Sequence, residues 1–217
     1  MHAYHIVYEG GSDEIVEKKS RFIAQVFPIA TEEEAAARIE AIRKQYWDAR
    51  HHCHAFVLGA NYEISRCSDD GEPSGTAGRP ILEVLTGQDI HDALIVVTRY
   101  FGGTLLGTGG LVRAYSRAAQ AGLHASRIIV RQPGRKMVVH TDYNGVGKLQ
   151  YIIANLELPV LDTLYTDAVE IVVLAPEEKK EQVVKEVTEA TAGQAEIEIS
   201  EKLMFGVAEG RPILFEE

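Results

Sequence analysis

The sequence predicts an α+β protein of two domains, and three features carry that expectation. The run Ala93-Leu94-Ile95-Val96-Val97 lacks polar alternation, which marks a strand covered on both faces. Thr31-Glu32-Glu33-Glu34 reads as a capping box, because the Thr31 hydroxyl and Glu34 carboxylate can satisfy free amides reciprocally, and it precedes apolar residues at helical spacing. The second half orders its elements β-α-β-β-α-β, the ferredoxin-like arrangement. Pro133-Gly134 is the expected boundary, giving domains 1–133 and 134–217.

The elements follow from local chemistry. Ile6-Val7-Tyr8 and Phe22 to Ile29 read as strands on either side of a turn at Gly10-Gly11. The helix after Thr31 runs to about Tyr46 and buries Ala35, Ile39, Ile42 and Tyr46. Residues 53–58 and 62–67 pair across Gly59-Ala60-Asn61. A loop covers Ser68 to Pro80, a short helix runs from Ile81 to about Thr86, and Asp92 to Phe101 is the covered strand. Glycine-rich Gly102 to Gly110 leads into a helix from about Leu111 to Ala125, and 126–135 hold a short strand. Beyond Gly134, strands are expected at Lys136–Thr141, Val160–Tyr165, Ala168–Leu174 and Glu196–Leu203. One helix lies at Asn144–Asn155; Pro176 opens the other, as proline does at a first helical position, with Val183, Val184 and Val187 inward.

Charge restricts the partners. Residues 1–133 carry 14 Lys/Arg and 16 Asp/Glu, a net of −2, and residues 134–217 carry 8 and 16, a net of −8. The second half therefore repels polyanions, and non-specific DNA binding is excluded. Met1 to Gly10 lacks the pattern of a secretory leader, and no apolar run approaches the roughly 18 residues of a membrane helix, so no membrane partner and a cytoplasmic protein are expected. Cys53 and Cys67 then read as reduced thiols.

Three segments concentrate functional side chains. In Arg50-His51-His52-Cys53-His54, strand alternation puts His52 and His54 on one side and His51 and Cys53 on the other, so no metal set converges. In Ser68 to Pro80, the groups Asp69, Asp70, Glu72, Ser74, Thr76 and Arg79 form either a loop rigidified by its own side-chain-to-backbone bonds or a surface that pairs with arginines or hydroxyl-bearing ligands. In the third, Arg99 and Tyr100 precede Gly102, Gly103, Gly107, Gly109 and Gly110, then Arg113 and Arg117. A strand ending in a glycine turn that opens a helix aims free amides at one point and suits an anion, although this is neither a dinucleotide fingerprint nor a Walker loop. The alternative is that the glycines let the helix pack tightly on the sheet. No catalytic residue, cofactor or metal is expected.

These segments together resemble the YigZ/IMPACT family. The residues that carry the resemblance are Lys18-Lys19-Ser20-Arg21-Phe22, Ala49 to Cys53, Asp69 to Gly78, Arg99 to Gly103 and Gly107 to Tyr115. His54 departs from the pattern, which more often has an aromatic residue there. The resemblance implies a first domain folded like ribosomal protein S5 domain 2 and a second similar to a carboxy-terminal domain of elongation factor G. It implies a link to translational control through protein partners, as in the eukaryotic relatives.

Two functions are weighed. The first is a non-enzymatic binding protein that contacts ribosome, RNA or a translation factor through the N-terminal domain, where Arg50, Arg79, Arg99, Arg113 and Arg117 cluster beside Tyr100 and Phe101 and where Arg21 and His52 are further candidate binding residues. The second is an enzyme or sensor holding a small phosphorylated ligand at Gly102 to Arg113, with Asp69, Asp70 or Glu72 serving a magnesium ion or acting as base.

Overall fold

The computed structural model describes residues 2–215, which divide into two compact units, Tyr4–Ile129 and, with residues 2–3, 130–215. The fold class is the α+β one read from the sequence.

The first unit comprises β1 (Tyr4–Glu9), β2 (Ser12–Glu17), β3 (Ser20–Pro28), α1 (Glu32–Gln45), β4 (His51–Leu58) and β5 (Ile64–Ser68). It continues with α2 (Gly78–Gly87), β6 (Ile90–His91), β7 (Ala93–Tyr100) and α3 (Thr108–His124). Five strands form an antiparallel sheet in the order β2-β3-β7-β4-β5, and β1 pairs in parallel with β6. One face packs Phe22, Ala24, Cys53, Ala55, Ile95 and Val97 against α2 and α3. The other packs Phe56, Leu58, Leu94 and Val96 against Ala35, Ile39 and Ile42 of α1. Strand β7 is thus covered on both sides, which is why it carries no polar alternation. The Thr31 cap is present, with Glu34 N–H donating to Thr31 Oγ1 at 3.2 Å, and the Glu34 carboxylate reaches back one residue beyond the cap to accept the Ala30 amide at 2.8 Å. In α3, a Cβ on Gly122 would lie 2.9 Å from Ala24 Cβ, so glycine permits the close approach of this helix to β3.

The second unit takes most of β8 (Arg127–Thr141), then α4 (Val146–Asn155), β9 (Val160–Tyr165), β10 (Val169–Pro176), α5 (Lys180–Ala190), β11 (Glu196–Ala208) and β12 (Arg211–Phe215). Its sheet is antiparallel in the order β12-β11-β8-β10-β9. Met137, Val139, Ile171 and Val173 pack beneath Leu149 and Ile152 of α4 and Val183 and Val187 of α5, the βαββαβ arrangement with one strand added.

Three details correct the sequence reading. Strand β8 runs through Pro133-Gly134 instead of ending there. Gly134 is paired with Leu203 and Pro176, and its missing side chain leaves room for the Phe205 ring, which a Cβ would approach to 2.4 Å. Pro176 ends β10 and precedes a single 3₁₀ turn (Glu177–Lys179), so α5 begins only at Lys180. Strand β11 continues past Leu203 to Ala208 and returns as β12 through Glu209-Gly210, whose φ values of 53° and 74° are those of a two-residue hairpin turn.

Candidate functional site

Sheet register gathers the motif segments at one end of the first unit. Arg21 lies opposite Tyr100, Arg99 opposite both Phe22 and His51, and Ser68 opposite His54. The β2–β3 hairpin closes beside them through Lys18-Lys19, both left-handed at φ 45° and 68°. Gly102 lies against that turn so closely that a Cβ would stand 2.1 Å from the Lys19 carbonyl carbon. Its N–H donates to Ser20 Oγ at 3.1 Å. Any larger residue at 102 would push the glycine segment off the hairpin.

A buried polar hub sits beneath this surface. Arg99 is only 6% exposed. Its guanidinium donates to Glu72 Oε1 at 2.6 Å and lies over the rings of Phe22 and Phe101, at 5.4 and 5.6 Å. The same Glu72 oxygen accepts the Tyr115 hydroxyl at 2.8 Å, and Cys53 Sγ lies 3.3 Å from that hydroxyl. Burial pushes both the Cys53 thiol and the Tyr115 phenol far up, so both stay protonated. One carboxylate therefore ties the acidic loop to β7, α3 and, through Tyr115, β4. Arg99 and Glu72 are consumed in this contact and present no free charge outward.

The rest of the acidic loop is bonded internally. The Asp69 carboxylate accepts the amides of Gly75, Ala77 and Gly78 at 2.8, 3.0 and 2.9 Å, capping α2 where Ala77 has no side-chain cap to offer. Burial raises the Asp69 carboxyl, but the three amides outweigh it and hold it below its usual value. Asp70 accepts the His52 amide at 2.7 Å and pairs with Arg43 at 2.9 Å. Thr76 Oγ1 donates to the Pro73 carbonyl at 2.6 Å, while Ser74 is exposed. His52 itself is buried, with Nε2 3.1 Å from the Tyr46 carbonyl. Among the described residues no group of three or more His, Cys, Asp or Glu side chains is placed to hold a metal ion.

The remaining arginines separate into two sets. Arg21 forks onto Glu14 with two 2.8 Å bonds and lies over the Tyr100 ring, whose hydroxyl donates to Asp48 at 2.7 Å. Arg117 pairs with Glu17 at 3.1 Å and Arg79 with Glu83 at 3.0 Å. Arg50 and Arg113 make no hydrogen bond or ion pair among the described residues, and neither do Lys18 and Lys19. Gly103 and Gly107 adopt left-handed φ values of 84° and 73° and turn the chain into α3, whose first amides have no side-chain cap. A Cβ on Gly110 would meet Leu106 Cβ at 2.9 Å, whereas one on Gly109 would stand 3.6 Å from the Arg113 guanidinium.

The surface also holds residues that the sequence reading had not placed in the site. Trp47 is 81% exposed and Leu105 83%; Phe101, already read from the sequence as an aromatic of the site, is half-exposed. Trp47 adjoins Asp48, which holds Tyr100, and this adjacency was visible in the sequence only as an unremarkable helix end. Tyr115 sits in a helix whose apolar face predicts burial, and nothing in the sequence pairs it with Glu72.

Fold and site define a two-domain α+β protein that presents cations and exposed apolar side chains at one end of its N-terminal sheet. Residues 18–123 match the Impact N-terminal domain, and residues 139–194 match a domain of unknown function, DUF1949. The IMPACT family member YvyE of Bacillus subtilis (strain 168) is 40% identical over 201 residues, covering 93% of this chain and 93% of YvyE. YigZ of Escherichia coli (strain K12) is 37% identical over 150 residues, covering 68% of this chain and 74% of YigZ. A solved structure described as a hypothetical protein is 31% identical, with a TM-score of 0.59, covering 91% of this chain and 97% of that one. The chain belongs to the IMPACT family.

Proposed function

We propose that this protein is a non-enzymatic binding protein acting on translation, contacting ribosome, RNA or a translation factor through its N-terminal domain. The observation that carries the reading is the contrast at the end of the first sheet. Carboxylates Asp69, Asp70 and Glu72 are bonded internally, while Lys18, Lys19, Arg50 and Arg113 stand uncommitted near exposed Trp47, Phe101 and Leu105. Uncommitted cations beside exposed aromatics favour a large polyanionic or mixed partner over reaction chemistry. The chain belongs to the IMPACT family, and the link to translational control that this resemblance implies supplies the translational setting. Cosedimentation with ribosomes tests it: at about 50 mM salt the protein travels with the ribosomal pellet and is released as salt rises. A protein left in the supernatant by both ribosomes and RNA at that salt contradicts the proposal.

A second reading rests on Arg113 alone. The helix begins at Thr108, three residues before the expected Leu111, so Arg113 lies in its second turn. The unpaired Arg113 guanidinium reaches back to within 3.6 Å of a Cβ placed on Gly109, in the uncapped first turn, an arrangement that suits a small phosphorylated ligand. A thermal-shift series of nucleotides with and without magnesium decides between them. A shift abolished by Arg113→Ala supports this second site, and a shift unchanged by that substitution removes it.

A further inference from the structure

The outer face of the second domain carries a groove that the proposed function does not use. It runs between α4 and α5, has a volume of about 650 Å³, and is floored by Ile152, Ala190 and Gly147. Tyr151, 69% exposed, forms one wall. Glu186 and Glu189 stand on the rim of α5. The lone cation on the α4 side, Lys148, donates to the Ala190 carbonyl at 2.9 Å, at the end of α5 where the helix is electronegative. Its charge is therefore directed at the helix terminus, while Glu186 accepts from Gln182 at 2.9 Å and keeps its charge, and Glu189 makes only an exposed i,i+4 contact with Lys185 at 4.0 Å among the described residues.

Gly147 supplies an independent observation. Glycine is an unfavourable helical residue, and steric need explains Gly122 in α3 as it does Gly102 and Gly134, whereas Gly87 at the end of α2 shares the freedom seen at Gly147. A Cβ at Gly147 would meet nothing within 4 Å. No contact inside the domain requires glycine there, and its absence of side chain keeps the groove open.

We infer that this groove receives a basic amphipathic helix of a partner protein, its apolar anchor seated against Tyr151, Ile152 and Ala190 and its lysines or arginines meeting Glu186 and Glu189. The volume lies in the range that holds one or two large side chains. Two antiparallel helices with an apolar trough suit the helix-in-groove mode, in which anchors spaced three and four residues apart enter the floor. Charge fixes the class of occupant. Residues 134–217 carry a net of −8, which disfavours nucleic acid, anionic membrane and acidic peptides.

The test uses the full chain, labelled with ¹⁵N, and a Leu/Lys amphipathic peptide of about four turns, with its Leu/Glu counterpart as control. The Leu/Lys peptide shifts amide resonances at Gly147, Tyr151, Ile152 and Ala190, and the Leu/Glu peptide does not. Gly147→Trp, which fills the trough where space is free, weakens binding at least about tenfold, as does Glu186→Lys combined with Glu189→Lys. Reversing Glu196 and Glu198, which lie on β11 outside the groove, leaves the affinity within about twofold. Equal weakening by the β11 reversal, or shifts spread over the acidic domain, would reduce the effect to diffuse charge and overturn the inference. Concentration-dependent self-association abolished by Gly147→Trp would assign the groove to a second copy of this chain and also overturn it. Because the first domain is untouched in every variant, loss of ribosome cosedimentation is read separately.

Discussion

Replacing Glu72 with alanine isolates the energetics of the hub that fixes the candidate surface. Arg99 is 6% exposed, and its ion pair with Glu72 at 2.6 Å is enclosed by Phe22 and Phe101. Removing one partner of a buried pair leaves an uncompensated charge and costs about 3–5 kcal/mol. The Tyr115 hydroxyl loses its acceptor at the same time, adding about 1 kcal/mol. For a chain of this size each kcal/mol lowers Tm by roughly 2–4 °C, so a fall of about 8–24 °C is expected by differential scanning calorimetry. The paired substitution Glu72→Leu with Arg99→Met removes both charges and should recover most of the loss, because well-packed apolar residues replace buried ion pairs at little cost. A Glu72→Ala protein within about 1 kcal/mol of the parent would show that water reaches the pair and would refute the desolvation argument.

Three further outcomes rest on the same contacts. Asp69→Asn should lower stability at neutral pH by about 1–2 kcal/mol through loss of the charged cap, measured by urea unfolding. The Asp69 carboxyl is held below its usual value, so its contribution is present above the ordinary carboxyl range and disappears as pH falls through the lowered folded value; the gap to Asp69→Asn should close in acid. Native protein should show one rapidly reacting thiol with an aromatic disulfide reagent, exposed Cys67, and two after denaturation, since Cys53 is buried with its thiol pushed up. Gly102→Ala should cost about 1–3 kcal/mol by forcing the glycine segment away from Lys19, and a variant of unchanged Tm would mean the contact is loose.

The parts of the fold legible in the sequence were those with a local cause. The cap at Thr31, the two-sided strand at Ala93–Val97 and the βαββαβ order each follow from residues adjacent in the chain. Strand β12 escaped notice because its turn is Glu209-Gly210, and a glutamate at left-handed φ is not a familiar hairpin signal. Gly134 reads as a turn residue in sequence, yet its reason is the Phe205 ring 71 positions away. The site divides in the same way. Its segments were recognisable as motifs, but Arg99 and Glu72 are 27 residues apart and Tyr115 is 43 from Glu72. Only the fold turns these apparent ligand groups into a buried hub and leaves Lys18, Lys19, Arg50 and Arg113 outward.

Those four cations give the most direct test of the translational reading. The measurement is the salt dependence of ribosome cosedimentation for the parent chain and for a variant with Lys18, Lys19, Arg50 and Arg113 changed to alanine. None of the four makes an ion pair among the described residues, so folding should be preserved, and circular dichroism checks it. The account predicts retention of the parent at about 50 mM salt, a steep decline towards 200 mM, and a variant that binds at least tenfold more weakly with a shallower slope. A folded variant that cosediments like the parent, with the same salt slope, would contradict it.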